Sequence, residues 1–216
     1  MKRFIDPHSA ASTKSELDLF SIPATQVAVK RTFTDVVHTA NPVTNEGPYE
    51  FRIPADPNFV HLCKHYVYFQ LRIVRANGQS LVTEGDGRDP PVAPINVIGK
   101  TCFKQAKMYL NSKLVYDSGD TYHLRAFLEN ELNYGLDAKN SHLSACLYSK
   151  EAGADVDTAE NAGFAARTDL FGGSKWVEVM APLHVDLMSQ DRYLMPHTDI
   201  RIELHRNADP LLLLLF

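Results

Sequence analysis

Residues 101–135 read TCFKQAKMYLNSKLVYDSGDTYHLRAFLENELNYG, and this stretch decides the fold. Hydrophobic and polar residues alternate from 102 to 110, which predicts a strand whose buried side carries Ala106, Met108 and Leu110. Asn111-Ser112-Lys113 is typical of a tight turn, and residues 114–117 resume the β pattern. The first half of the stretch therefore predicts a β-hairpin.

A helix is predicted directly after this hairpin. Asp120 or Thr121 suits its start, because a short polar side chain can accept a hydrogen bond from a free helix amide. Gly135 stands where a left-handed residue often ends a helix. Four apolar residues fall between them at i, i+3, i+4 and i+8: Leu124, Phe127, Leu128 and Leu132. We expect the helix to pack this stripe against the rest of the protein.

Composition predicts a soluble protein of one domain. The chain has 216 residues, of which 44% are hydrophobic and 22% charged, and its net charge of −4 favours no nucleic-acid surface. The three cysteines, Cys63, Cys102 and Cys146, are an odd and widely spaced set that favours free thiols in a reducing compartment. No secretory signal core occurs, and the longest apolar run, Leu211–Phe216, is too short to cross a membrane. An intracellular location, cytoplasmic or nuclear, is expected.

The remaining sequence is dominated by β patterns. Strands are predicted at 27–37, 49–53, 59–75, 175–180, 183–188 and 199–206, a second helix at 138–150, and loops at 84–94 and 151–173. About eight strands without a βαβ rhythm indicate a mainly β protein, an antiparallel jelly-roll β-sandwich with a helical insertion after the central strands. The long connections favour a jelly roll over an immunoglobulin-like domain. Its expected core includes Phe33, Val67, Phe69, Leu71, Met108, Ile202 and Leu204.

The domain organisation follows from the same patterns. Residues 1–24 are polar and Ser-rich at first and are expected to form an N-terminal arm. Residues 25–216 are expected to form a single jelly-roll domain. Its apolar end, Leu211–Phe216, needs burial as a core strand or cover by a second domain or subunit.

Residues with metal-binding or catalytic chemistry are sparse. His61, Cys63 and His65 alternate along a predicted strand, so they are weak candidates for a metal site, although a buried cysteine between two structural histidines explains them better. Gly99-Lys100-Thr101 lacks the preceding glycine of a phosphate-binding loop. His184 and Asp186 are interpreted as a solvated pair. The sequence predicts no catalytic residue and no cofactor.

Three segments carry a family resemblance, in the same order along the chain. They are Ser15–Gln26 (SELDLFSIPATQ), Ala93–Gly135 with its continuation DAK at 137–139, and 182–204 with PLHVDL, QDRYL and DIRIEL. The central segment contains the phrases KMYLNSKLV, YHLRAFLE and LNYG. Together they resemble the major capsid proteins of Maverick/Polinton elements and adintoviruses.

The resemblance implies a structural protein rather than an enzyme. It implies a double jelly-roll subunit, three copies of which form a pseudo-hexagonal capsomer in a virion, with a minor capsid or penton protein as a further partner. This sequence covers only the first jelly roll, so a truncated, decayed or host-retained copy is expected. Assembly would use the loops at 84–94 and 151–173 and the apolar C-terminus.

Two other classes of function remain open from the residues. A cellular binding module for sugar or protein would use an aromatic-lined groove, for which Trp176, Tyr66 and Tyr68 are the candidates. A metal-dependent jelly-roll enzyme would hold its metal near His61 and His65. No membrane partner is expected.

Overall fold

The computed structural model describes residues 29–45, 47–151, 158 and 160–215. The described residues divide between Val36 and Val37 into two units, which are described separately. The predicted arm at 1–24 lies outside the described residues. The strand predicted at 27–37 is wrong for residues 29–37, which form no helix or strand, and the side chain of Phe33 is 58% exposed instead of buried. Alternation alone could not supply the paired neighbour that a strand needs.

The largest sheet of the second unit has four antiparallel strands in the order β1-β7-β4-β5. These are β1 (Tyr49–Ile53), β4 (Phe103–Leu110), β5 (Lys113–Asp117) and β7 (Ile200–Arg206). Ala106 lies opposite Leu204 and Met108 opposite Ile202, so one face of the sheet is a continuous apolar layer. The hairpin predicted from residues 101–117 is confirmed, and Asn111 and Ser112 both have the positive φ that its tight turn requires.

Two shorter antiparallel pairs complete the eight strands of the described residues. β2 (Val67–Leu71) pairs with β6 (Val177–Ala181), and β3 (Val92–Pro94) pairs with β8 (Leu213–Leu215). Three of the pairs are nested, because β1 joins β7, β2 joins β6, and β4 joins β5 within them, whereas β4-β7 and β3-β8 lie outside this nesting. The protein is thus mainly β and antiparallel, as predicted.

Five short or medium α-helical segments connect the described strands. They are α1 (Ile98–Thr101), α2 (Tyr122–Asn133), α3 (Leu136–Lys139), α4 (Ala162–Phe171) and α5 (Asp209–Leu212). Single 3₁₀ turns span Leu62–Lys64, Gly119–Thr121, His142–Cys146, Gly172–Ser174 and Asp186–Ser189. Among these described residues no helix is long and apolar enough to cross a membrane.

Several predicted elements were wrong in type or extent. The loop at 151–173 contains α4, which begins where Asn161 accepts a hydrogen bond from the amide of Gly163 and buries Phe164, Arg167 and Phe171. The loop at 84–94 ends in β3, and the strand at 59–75 shortens to β2 after the 3₁₀ turn at Leu62–Lys64. The strand at 183–188 is instead an extended segment and a 3₁₀ turn. The helix predicted at 138–150 is the end of α3, a 3₁₀ segment at His142–Cys146 and irregular chain beyond it.

The hydrophobic core lies between the large sheet and the segments packed on its inner face. Met108, Ile202 and Leu204 are buried there, and Val67, Phe69 and Leu71 are partly buried against it, so these six predicted core residues are confirmed. The rings of Phe69 in β2 and Phe103 in β4 meet edge to face at 5.7 Å, which ties β2 to the large sheet.

Candidate interaction surface

The buried and exposed faces of α2 are reversed relative to the prediction. Leu124, Phe127, Leu128 and Leu132 are 54%, 40%, 56% and 81% exposed. The buried side instead carries Tyr122, Ala126 and Asn130, each 0% exposed. The stripe expected to pack on the core therefore faces outward and forms an apolar face, called the α2 face below.

The ends of α2 also differ from the prediction. Thr121 precedes the first residue of the helix, but its side chain makes no capping hydrogen bond. Gly135 follows the helix with φ −76° and ψ 177°, an extended conformation rather than a left-handed one. The chain then enters α3, whose first residue Leu136 is 62% exposed. The exposed leucines thus continue past the end of α2.

Hydrogen bonds from the 183–186 segment hold the buried side of α2. The amide of His184 donates to the Tyr122 hydroxyl at 3.0 Å, and the imidazole Nδ1 of His184 donates to Glu129 Oε2 at 2.6 Å. Arg125 bonds Glu129 at 2.7 Å and also pairs with Asp186. His184 is 9% exposed, so its interpretation as a solvated residue was wrong. Its pairing with Glu129 was missed because 55 residues separate them.

The charges in this cluster perturb one another in a consistent way. Burial lowers the pKa of His184, and its hydrogen bond to Glu129 opposes that shift only in part. Burial acts to raise the pKa of Glu129, yet the hydrogen bonds from Arg125 and His184 together bring it below its usual value. The cluster therefore keeps Glu129 ionised and His184 neutral near pH 7, and it anchors α2 with its apolar side outward.

Lys100 is the second polar contact beneath α2. It is 1% exposed, its Nζ donates to Asn130 Oδ1 at 2.9 Å, and it lies 4.8 Å from the centre of the Tyr134 ring. Burial lowers its pKa. Gly99, Lys100 and Thr101 all lie inside the buried α1, so this lysine has a packing contact in place of an open phosphate loop.

The weak metal candidates do not converge. Both nitrogens of His65 are used by the backbone, since Nδ1 donates to Leu62 O at 2.6 Å and Nε2 accepts from the Leu183 amide at 2.7 Å. The His61 ring lies against Tyr193 at 4.8 Å. Within the part of the chain that the structure describes, no group of three or more His, Cys, Asp or Glu side chains is placed to hold a metal ion. Cys63, Cys102 and Cys146 are free thiols, as predicted.

The aromatic candidates share one exposed face of the β2-β6 pair. Tyr66, Tyr68 and Trp176 are 62%, 57% and 60% exposed. The guanidinium of Arg72 lies 4.7 Å from the centre of the Trp176 ring. Gln70 and Glu178, joined at 3.1 Å, stand between Tyr68 and Trp176 in the register of the pair. The residues form a flat row on the sheet.

The apolar C-terminus is partly accounted for inside the chain. Leu212 is 3% exposed, and its carbonyl accepts a hydrogen bond from the Ile95 amide at 2.9 Å. Leu213 to Leu215 form β8 against β3. Leu211 and Leu215 are 47% and 65% exposed. The expected core strand is therefore not seen: the buried Leu212 ends α5, and the residues of β8 are half-buried or exposed. The need for a covering domain or subunit stays a prediction for the exposed members.

These observations define the class of protein: an antiparallel β unit that carries a helix with an exposed apolar face. No protein-family model matches the chain. An uncharacterized protein of Caenorhabditis elegans is similar, with 29% identity over 195 residues. The match covers 89% of this chain and 45% of the worm protein, so the chain spans less than half the length of that curated relative.

Proposed function

We propose that the chain is a jelly-roll structural subunit of the capsid class, of the kind found in Maverick/Polinton elements and adintoviruses. The observation that carries the proposal is the nested strand pairing: β1 with β7, β2 with β6, and β4 with β5. A jelly roll arises when a long antiparallel hairpin wraps round a core, so that early strands pair with late ones. The β3-β8 and β4-β7 pairs fall outside this nesting.

Two further observations support a structural role. The helical insertion stands directly after the β4-β5 hairpin, in the segment that carries the family resemblance. The similar worm protein is more than twice as long as the matched region. That length is consistent, for that protein, with a second domain of similar size. The proposal places the chain as the first roll of a self-associating subunit.

The test is the assembly state of the purified chain. Sedimentation velocity at rising concentration and negative-stain electron microscopy should show ordered assemblies of three or more copies. An experimental structure should show the two sheets facing each other as a jelly roll. Species no larger than a dimer at every concentration, or a different strand topology, would refute the proposal.

The exposed row on β2-β6 favours a second candidate, a sugar-binding module. Aromatic rings offer stacking surface, and the Gln70 and Glu178 side chains offer hydrogen bonds between them. Trp176 is the single tryptophan of the chain, so its fluorescence reports directly on binding to this face. Phe59, 66% exposed and outside the β2-β6 pair, is the control. An oligosaccharide that quenches the fluorescence would support the candidate, provided that Trp176→Ala abolishes retention on the same sugar and Phe59→Ala does not.

A further inference from the structure

The α2 face is a continuous ridge of large apolar side chains. Leu124, Leu128 and Leu132 are spaced four residues apart and so form one i±4n row along the helix, with Phe127 beside it. All four side chains are at least 40% exposed. Such a ridge fits the groove beside the same ridge on another helix, and this is the commonest class of helix crossing in globular proteins.

The charges of α2 do not oppose an apolar contact. The three charged side chains of the helix each have an ion pair within the chain: Arg125 with Glu129 and Asp186, and Glu131 with Lys139. Glu129 also bonds His184 on the buried side. A partner that covers the α2 face would therefore not need to supply countercharges for the helix. A chemically similar apolar ridge suits it better than a charged or nucleic-acid partner.

The area of the α2 face is that of half a small dimer interface. From their exposed fractions, the four side chains present on the order of 400 Å² of apolar surface per copy. Two copies face to face would bury about 800 Å² of apolar surface. Homodimer interfaces are roughly 65% apolar, so the whole contact would bury about 1,200 Å², which reaches the range of specific interfaces.

We infer that the α2 face is a self-association surface on which two copies of this chain pair, α2 against α2, about a two-fold axis. In such an isologous contact the central residue of the ridge meets its own counterpart. Leu128, between Leu124 and Leu132, is that residue. The inference deepens the proposed function and rests on it, since it names the partner and the surface for one contact of a self-associating subunit.

The experiment combines a disruptive and a cross-linking variant. Leu128→Glu should raise the dimer dissociation constant at least about tenfold in sedimentation equilibrium, because it buries a charge at the centre of the contact. Leu128→Cys, in a Cys63→Ser background, should form a disulfide-linked dimer under mild oxidation. Leu170, 46% exposed on α4, is the matched control. Leu170→Glu should have the dimer dissociation constant of the wild type. Leu170→Cys in the Cys63→Ser background should form no disulfide-linked dimer.

The outcomes separate this inference from the proposed function. A monomeric wild-type chain overturns the α2 pairing. Equal dimer dissociation constants for Leu128→Glu and Leu170→Glu overturn it as well. Larger assemblies without a Leu128→Cys cross-link overturn the pairing and leave the capsid role standing. A cross-linked dimer with no larger assembly supports the pairing and refutes the capsid role. Circular dichroism of Leu128→Glu checks that the helix is intact; an unfolded variant leaves the Leu128→Cys result to decide.

Discussion

His65 shows, at the scale of one residue, how a metal-ligand side chain can be wholly occupied by backbone groups. Its Nδ1 donates to the Leu62 carbonyl and its Nε2 accepts from the Leu183 amide. The second bond requires a neutral ring, because a protonated Nε2 cannot accept. Burial lowers the pKa of His65 below the ordinary 6.5, and the bond to Leu62 opposes this only in part. His65 thus joins two distant segments as a neutral side chain.

The His65→Ala variant should lose about 1–3 kcal/mol of unfolding free energy at pH 7.5, since it leaves the Leu183 amide without its acceptor. As pH falls below 6.5, the unfolded wild-type chain binds a proton at this residue before the folded chain does, so wild-type stability falls. The difference in free energy of unfolding between wild type and His65→Ala should therefore become smaller. Urea titrations from pH 7.5 to 5 measure this difference. The role of His65 would be contradicted if the difference stayed constant, or if the difference between wild type and a variant of the exposed His38, His38→Ala, became smaller by the same amount.

Arg167 is the largest fully buried side chain of the described residues, and it anchors α4. Its Nε donates to the Pro94 carbonyl at 3.0 Å and its Nη1 bonds Glu151 at 2.7 Å. A guanidinium in such a place is tolerated only because both contacts compensate for its lost hydration. These bonds explain why α4 lies against β3.

Removing Arg167 should be costly, because it takes the side-chain donor from the Pro94 carbonyl and the ion-pair partner from the Glu151 carboxylate, which keeps its hydrogen bond from Asn96. Arg167→Ala should lower the free energy of unfolding by about 3 kcal/mol or more in a denaturant titration. Arg52, which pairs with Asp199 at 3.2 Å with its own side chain 64% exposed, is the control. Arg52→Ala should cost less than about 1 kcal/mol. Equal losses would show that burial does not govern the contribution of Arg167.

At the scale of elements, α1 is held in place by a close approach of its backbone. A Cβ on Gly99 would lie 2.5 Å from Val179 Cγ1 in β6 and 3.0 Å from the Cα of Cys146. Only the absence of a side chain allows α1 to lie this near β6, and Lys100 in α1 in turn bonds Asn130 of α2. The position of α2 thus depends on a glycine in another helix.

Gly99→Ala should destabilise the protein by about 1–3 kcal/mol, because the added methyl group forces Val179 or the Cys146 backbone to move. Gly135 is the matched control: a Cβ there would meet nothing within 4 Å, and its φ of −76° suits any residue. Gly135→Ala should be neutral or stabilising by up to about 1 kcal/mol. Thermal unfolding of both variants measures this, and equal melting temperatures would exclude the close approach.

At the scale of the whole second unit, strands near its C-terminal end pair with strands far earlier in the chain, once in the large sheet and once at β3. β1 pairs with β7, and the C-terminal β8 pairs with β3. Such contacts between distant residues must close long loops before they contribute stability. Leu212, buried at 3%, supplies much of the apolar contact at the C-terminal end.

Leu212→Ala should therefore lower the free energy of unfolding by about 2–4 kcal/mol, since it leaves a cavity in the core. Leu215, three residues further and 65% exposed, belongs to the same leucine run and is the control. Leu215→Ala should change stability by less than about 0.5 kcal/mol in the isolated chain. If the two variants were equally stable, the burial of Leu212 would be refuted.

The sequence by itself determined the elements whose signals are local. The β4-β5 hairpin follows from alternation and from two turn residues that accept positive φ, and the existence of α2 follows from its helical periodicity. The apolar residues of β2, β4 and β7 were placed on the correct face for the same reason. The mainly β class follows from the number of such segments.

The tertiary structure alone decided which side of α2 is buried. Periodicity places Leu124, Phe127, Leu128 and Leu132 on one face but does not say what that face meets. Polar groups from elsewhere settle it, since Lys100 bonds Asn130 and the His184 amide bonds Tyr122, while Ala126 lets the helix come close. These partners are 30 or more residues away in sequence, and a buried polar group stays buried only where such partners meet it. Within the stretch at 101–135, the α2 face therefore points outward because long-range hydrogen bonds, which no local pattern encodes, hold the opposite side of α2 against the protein.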